Sequence, residues 1–281
     1  MRVVTEIAEV RDVRASMAEP YGLVPTMGFL HEGHLSLVRQ ARVECESVAV
    51  SIYVNPTQFG PSEDLEAYPS DLEQDLRMLE SEGVDLVWTP TTEVIYPSGF
   101  QTWVTVNEIS KHLEGTQRLG HFRGVATVVA KLFNVFQPQR AYFGQKDAQQ
   151  MVLIRRMAVD LNFPIEVIAC PTVREEDGLA MSSRNSYLNT EERKAATVLF
   201  RALTIASEAF KEGELDAGEL RSLMSETITS EPLAQEQYVS VADPNTLEEL
   251  QGKVQRALLS MAVYVGDTRL IDNVVVGEES K

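Results

Sequence analysis

The chain has 281 residues, 44% hydrophobic and 24% charged, with a formal net charge of −17. At roughly 100–200 residues per domain, this length gives one large domain or two smaller ones, with a globular composition and enough apolar residues for a sizeable core. The acidic balance opposes general binding to nucleic acid or anionic membrane, which needs lysine and arginine to neutralise phosphates.

In chain order, residues 22–26 form a short apolar run and read as a strand. Residues 35–44 have helical spacing, with Leu35, Val38 and Ala41 on one face. Residues 48–54 are β-branched and read as a buried strand, and 71–82 as an amphipathic helix. Strands are expected at 86–88 and 103–106, then a helix at 124–136 ended by Pro138. A strand at 141–143, a helix at 147–161 and a strand at 165–169 follow. Strands alternating with helices imply parallel β-α-β units, whose ligands bind at the carboxyl ends of the strands. After about residue 172 the texture changes. A loop rich in charge and small residues covers 173–189, then helical patterns cover 190–211 and 216–228. Asn189 with Glu192 resembles a capping box. Strand-like runs close the chain at 238–242, 261–265 and 270–276. The expectation is an α/β, Rossmann-like parallel-sheet domain over 1–174 and a smaller α+β domain over 175–281.

Neither end of the hydropathy scale is extreme. Residues 1–10 carry Glu6 and Glu9 and lack the apolar core of a signal peptide. The most apolar stretch, 125–136, is interrupted by Lys131 and is too short to span a bilayer. Cys45 and Cys170 sit in apolar contexts and read as packing residues in a reducing compartment. A soluble, cytoplasmic protein is expected.

Three clusters carry phosphate chemistry. The first, Met27, Gly28, Phe29, Leu30, His31, Glu32, Gly33 and His34, follows the first long strand and enters a helix. A helix N-terminus offers unpaired N–H groups and partial positive charge. Glycines allow close backbone approach, and imidazoles can donate to phosphate oxygens or protonate a leaving group. Two histidines and a glutamate also allow a metal reading. Zinc proteases, however, space their histidines four apart, and here the spacing is three with no third ligand evident. The second cluster, Gly144, Gln145, Lys146 and Asp147, opens the helix after the strand at 141–143, with Gln150 one turn on. Lys146 suits phosphate as a mobile point charge; a plain helix start capped by Asp147 is the simpler alternative. The third, Met181, Ser182, Ser183 and Arg184, combines hydroxyls, amides and a guanidinium at the domain junction. A polar linker would look similar. Two further segments suit a polar small molecule: Asn55 and Gln58 in an Asn-Pro turn, and Arg118 with His121 and Arg123 before an apolar helix. His121 reads equally well as a structural residue.

Together and in this order, these segments resemble the pantothenate synthetase family. The resemblance spans about residues 24–188. The family shares His-x-Gly-His with class I aminoacyl-tRNA synthetases, and Met181 to Arg184 looks like the counterpart of their Lys-Met-Ser-Lys-Ser signature. The resemblance implies a Rossmann-like domain with a C-terminal lid, usually in a homodimer. It also implies a reaction: pantoate and ATP give pantoyl adenylate, which β-alanine converts to pantothenate and AMP, with Mg2+ on the ATP phosphates. Carried over by motif, Met27 to His34, Gly144 to Asp147, Val173 and Met181 to Arg184 would bind ATP. His34 would be the proton donor, with His31, Lys146, Ser182, Ser183 and Arg184 sharing the catalysis. Gln58, Gln150, Asn55 and Arg118 would form the pantoate and β-alanine region. No protein ligand for the metal follows. Leu119 replaces the usual proline before Gly120, and Ser70 replaces an arginine, which leaves Asp75 hard to assign as a metal contact. The competing readings are a related nucleotidyltransferase without an amide-forming step, which Asn55, Gln58 and Gln150 oppose, and an RNA-binding module, which the net charge opposes.

Overall fold

The computed structural model describes residues 1–61 and 63–278. In chain order the elements are β1 (Arg2–Val4), α1 (Ile7–Arg14), β2 (Tyr21–Thr26), α2 (Glu32–Glu44), β3 (Ser47–Ile52), α3 (Leu72–Ser81) and β4 (Leu86–Trp88). Then come α4 (Thr92–Ile95), α5 (Leu113–Gln117), α6 (His121–Phe136), β5 (Arg140–Gly144), α7 (Ala148–Asp160) and β6 (Glu166–Cys170). The remainder is α8 (Thr190–Ala195), α9 (Val198–Glu212), α10 (Ala217–Thr229), β7 (Ala234–Ala242), β8 (Ala257–Val265) and β9 (Thr268–Val276). Short 3-10 turns lie at Pro56–Gln58, Gln145–Asp147 and Ser183–Tyr187.

The chain divides into two compact units. The first comprises Met1–Lys111, Gly115–Gln145 and Leu153–Pro171. Among the described residues it holds a six-stranded parallel sheet in the order β1-β4-β3-β2-β5-β6. Successive crossovers run outward from β2 to one side and from β5 to the other, so the order reverses between these two strands. Such a reversal marks the carboxyl ends of these two strands as the usual ligand position of parallel sheets. The strands are apolar on both faces because helices cover both. Val24, Val48, Val50 and Val87 pack with Leu35 and Val38 of α2 and Leu79 of α3, all 6% exposed or less.

The second unit comprises His112–Glu114, Lys146–Val152 and Thr172–Lys281. Among the described residues its sheet is three-stranded and antiparallel, in the order β7-β8-β9. Leu199, Leu203, Leu220 and Met224 of α9 and α10 bury against Leu259, Met261 and Val263 of β8. The two short outlying segments belong here for a polar reason. Glu114 is buried and accepts from the Tyr238 hydroxyl at 2.9 Å and from two Arg269 nitrogens at 2.7 Å each. Gln149 accepts from the Glu114 N–H at 2.9 Å and donates to the His112 carbonyl at 2.7 Å.

Three features differ from the sequence expectation. Residues 103–106 pair with no strand among the described residues; the Val104 N–H donates instead to the Thr127 hydroxyl of α6 at 3.0 Å. A β-branched run can be extended, yet a strand also needs a ladder partner. The pattern at 190–211 is two helices, α8 and α9. At the break the Thr197 hydroxyl donates to the Lys194 carbonyl at 2.8 Å, a side-chain bond that competes with the helical ladder. β1 and α1 are too short for their periodicity to be read, and only Val4, Val10 and Val13 are buried there. The capping box at α8 forms: Asn189 Oδ1 accepts from the N–H groups of Glu191 and Glu192 at 3.0 Å each, and Glu192 accepts from the Asn189 N–H at 2.9 Å.

Candidate active site

In the first unit the turn after β2 holds two consecutive residues at positive φ. Gly28 has φ 84° and Phe29, not a glycine, has φ 51°. The positive φ at Gly28 favours glycine, and a Cβ there would lie 3.1 Å from both Asp75 Oδ2 and Ile52 Cγ2, so those side chains would have to give way. The N–H groups of Phe29 and Leu30 both turn to the carboxylate of Asp75, at 2.9 and 2.7 Å. Asp75 is 2% exposed, and burial pushes its carboxyl above the usual aspartate range despite the two N–H bonds.

His31 and His34 then cap α2. The Gly33 N–H donates to His31 Nδ1 at 3.1 Å, and the His31 N–H donates to His34 Nδ1 at 3.3 Å. A nitrogen that accepts a hydrogen bond carries no proton. Both rings in this arrangement are therefore neutral and carry their proton on Nε2. The rings lie 4.0 Å apart. The Glu32 carboxylate is exposed and pairs with Arg39, which also pairs with Glu82. Among the described residues no three His, Cys, Asp or Glu side chains converge as a metal site.

The turn after β3 adjoins it across the sheet, where Thr26 and Ile52 are in register. Asn55 is 1% exposed and fully engaged. Its Oδ1 accepts from the Thr57 and Tyr96 hydroxyls at 2.9 and 3.0 Å, and its Nδ2 donates to the Gly124 carbonyl at 3.2 Å and Gln58 Oε1 at 3.1 Å. The last bond fixes the amide of Gln58, whose Nε2 faces Met27 Sδ at 3.0 Å. Met27 and Gln58 thus meet, and Asn55 acts as a support for Gln58. His121 contributes through Nδ1, 2.8 Å from the Gln58 carbonyl, while its Nε2 faces Arg118 at 3.1 Å. A guanidinium has no acceptor, so Nε2 accepts and Nδ1–H donates: His121 is a structural histidine. Arg118 forms a bidentate pair with Glu63 at 2.7 and 2.8 Å. This pairing and the Gly60 N–H outweigh burial and hold the Glu63 carboxyl below its usual range. Arg123 lies over the Trp103 ring at 4.9 Å.

In the second unit Val173 and Met181 are brought together by a narrow hairpin, with the Met181 N–H donating to the Val173 carbonyl at 3.0 Å. Ser182 caps the following 3-10 turn, its hydroxyl accepting from the Arg184 N–H at 3.3 Å. Ser183 is buried and Arg184 half-buried. The Lys146 side chain begins at a half-buried turn beside the exposed Asp147, and Gln150 is half-buried one helical turn later. Gly144 ends β5, with Gln145 the last residue of the first unit on this segment. Sequence reasoning missed Asp75, Glu63 and Tyr96 as supports. Asp75 lies 46 residues from Phe29 and Glu63 lies 55 from Arg118, separations at which no local pattern exists.

The family model for pantoate-beta-alanine ligase matches residues 2–275. The chain belongs to the pantoate–β-alanine ligase family. Relatives agree over the full length. The pantothenate synthetase of Roseiflexus sp. (strain RS-1) is 60% identical over 276 residues, covering 98% of this chain and 99% of that protein. That of Thermoanaerobacter sp. (strain X514) is 53% identical, covering 99% of each. The crystal structure of pantothenate synthetase from Thermus thermophilus superposes with a TM-score of 0.94 at 48% identity, covering 99% of this chain and 100% of that one. A Francisella tularensis pantoate–β-alanine ligase, solved with β-γ ATP and β-alanine, gives 0.81 at 36% identity, covering 98% and 97%. This chain is a pantoate–β-alanine ligase, an enzyme that joins the two substrates through a carbon–nitrogen bond to give pantothenate.

Proposed function

We propose that the ligation runs on ATP through a pantoyl adenylate. The pantoate carboxylate attacks the α-phosphorus in line, and pyrophosphate leaves with the bonding pair. The amine of β-alanine then attacks the acyl carbonyl, and AMP leaves. Such chemistry needs positioning and charge stabilisation more than an enzyme nucleophile. The observation that carries the reading is the Francisella tularensis relative holding β-γ ATP and β-alanine.

The roles follow residue by residue. The turn from Met27 to Leu30 and the start of α2 bind ATP. The Nε2–H groups of His31 and His34 donate hydrogen bonds to phosphate oxygens, and His34, once it has taken up a proton on Nδ1 beside the anionic nucleotide, protonates the leaving pyrophosphate. Gly144, Gln145, Lys146, Asp147, Val173, Met181, Ser182, Ser183 and Arg184 also serve ATP, with Lys146 and Arg184 on its phosphates. Gln58, its Nε2 oriented by Asn55, donates to pantoate and β-alanine; Gln150 holds pantoate, and Arg118 acts through its contact with His121. Mg2+ enters on the nucleotide and neutralises phosphate charge. Such an ion keeps several waters and needs only one or two carboxylates beside the phosphates. Residues 1–174 are assigned to catalysis and 175–281 to a lid, in a cytoplasmic homodimer.

The test is mass detection of pantothenate and AMP, with pantoate, β-alanine and ATP omitted in turn. Pantoate-dependent ATP–pyrophosphate exchange should occur without β-alanine. ADP in place of AMP, or exchange that requires a phosphorylated alcohol instead of pantoate, would overturn the reading.

A further inference from the structure

Asp272 and Asn273 are consecutive residues of β9, 2% and 4% exposed. Each reaches a different segment of the second unit. Asn273 Nδ2 donates to the Lys146 carbonyl at 2.8 Å, 127 residues away. Asp272 accepts from both terminal nitrogens of Arg174, at 2.6 and 2.9 Å. Arg174 also donates to the Gly178 carbonyl at 3.1 Å and lies 4.4 Å over the Phe200 ring. It thereby pins the hairpin whose far strand runs into Met181. The Asn273 N–H donates to Asp272 Oδ1 at 2.8 Å, which fixes the Asp272 carboxylate against the β9 backbone. Neighbouring strand residues project to opposite faces, so two adjacent positions can serve two segments. The sheet itself does not need these groups: β9 already pairs with β8 through its backbone.

We propose that Asp272 and Asn273 are positioning residues for the phosphate chemistry. Asn273 fixes the turn from which the Lys146 ammonium projects, and Asp272 fixes the hairpin that delivers Met181, Ser182, Ser183 and Arg184. A lysine is a point charge on a flexible four-carbon stem, so its aim depends on where the backbone starts it. A carbonyl bonded by a buried amide has one well-defined place; without that donor it is freer to move. The inference rests on the ATP reading above, because it gives those two segments their task.

The full-length enzyme carrying Asn273→Ala tests it with three measurements. Pantoate-dependent ATP–pyrophosphate exchange reports adenylylation. Conversion of synthetic pantoyl adenylate by β-alanine reports the second step, in which no phosphate bond is made. Amide hydrogen exchange at residues 146–148 without substrate reports the turn itself. Loss of this hydrogen bond should slow adenylylation about tenfold, leave the second step within about twofold, and speed amide exchange in the turn. Equal loss in both half-reactions would mean general destabilisation and would overturn the proposal, as would unchanged amide exchange. Asp272→Asn should show the same split between half-reactions. Should it unfold because Arg174 keeps a buried charge, Arg174→Met with Asp272→Leu removes both charges and is read the same way. A wild-type enzyme without pantoate-dependent exchange would sink the ATP reading, whereas normal wild-type exchange with an unaltered Asn273→Ala turn would sink only the positioning role.

Discussion

The turn after β2 and the turn after β3 lie at the same edge of the same sheet, and they are held in different ways. Asn55, inside the β3 turn, gathers Thr57, Gln58, Tyr96 and Gly124 around one buried amide. The β2 turn takes two backbone N–H groups to Asp75, a carboxylate from a helix 46 residues on. The β3 turn carries its own organising amide, which draws in Tyr96 and Gly124 from 41 and 69 residues on. The β2 turn keeps its unusual φ values only while the distant Asp75 stays in place. In the reading proposed above, the difference suits two tasks: a fixed amide for a small hydroxy acid, and a helix start for phosphate.

Substitutions can break the comparison, beginning with the largest effect. His34→Ala removes the ring that caps α2 and, in the reading above, donates to phosphate. Turnover should fall about 10²–10³-fold, the range for lost transition-state stabilisation. A single-turnover adenylylation rate near wild type would remove His34 from the chemistry. Gly124→Ala strikes the β3 turn through its backbone, because the new Cβ would lie 2.4 Å from the Thr57 carbonyl oxygen. Overpacking of about 3 kcal/mol is expected, read as a fall in urea midpoint; an unchanged midpoint would show that the turn yields. Asn55→Ala leaves several buried partners unsatisfied and should cost about 2–3 kcal/mol, with KM for pantoate raised because Gln58 loses its orientation. Asp75→Asn keeps the shape but sets an amide N–H against a backbone N–H. About 1–2 kcal/mol should be lost, with faster amide exchange confined to Phe29 and Leu30.

Acid titration sharpens the contrast by its sign. Glu63, which steadies the β3 turn through Arg118 and His121, has a carboxyl below its usual value of 4.5. Its contribution is present above pH 4.5 and is lost as pH falls through the lowered native value. Asp75 is raised from 3.8 by burial, so its contribution is full below 3.8 and is lost as pH rises through the raised native value. In urea unfolding between about pH 3 and 6, Glu63→Gln should flatten the acid loss, and Asp75→Asn should remove a gain on acidification. The same slope change from both variants would refute the distinction.

Much of the molecule was legible in the sequence because its signals are local. The β-branched run before Asn55, the amphipathic spacing of α2 and α3, and the Asn189/Glu192 box each depend on residues a few positions apart, and the elements formed where those patterns stand. The expectation of an anion site at a glycine-containing strand-to-helix turn is local too, since any helix start presents unpaired N–H groups. The order of these motifs also sufficed to point to the pantoate–β-alanine ligase family.

Contacts between distant segments decided the rest. Residues 103–106 have the composition of a strand, but only the fold determines whether a ladder partner is present, and Thr127 takes the Val104 N–H instead. The Phe29 N–H, at a residue of positive φ, is held by Asp75 from 46 residues away. Segments 112–114 and 146–152 join the second unit through Glu114, Gln149 and Asn273, none of which carries a sequence signal for it. Periodicity records which face of an element is apolar; it holds no record of which buried polar group will meet which, because that pairing is made only when chain segments 55 to 155 residues apart are packed together.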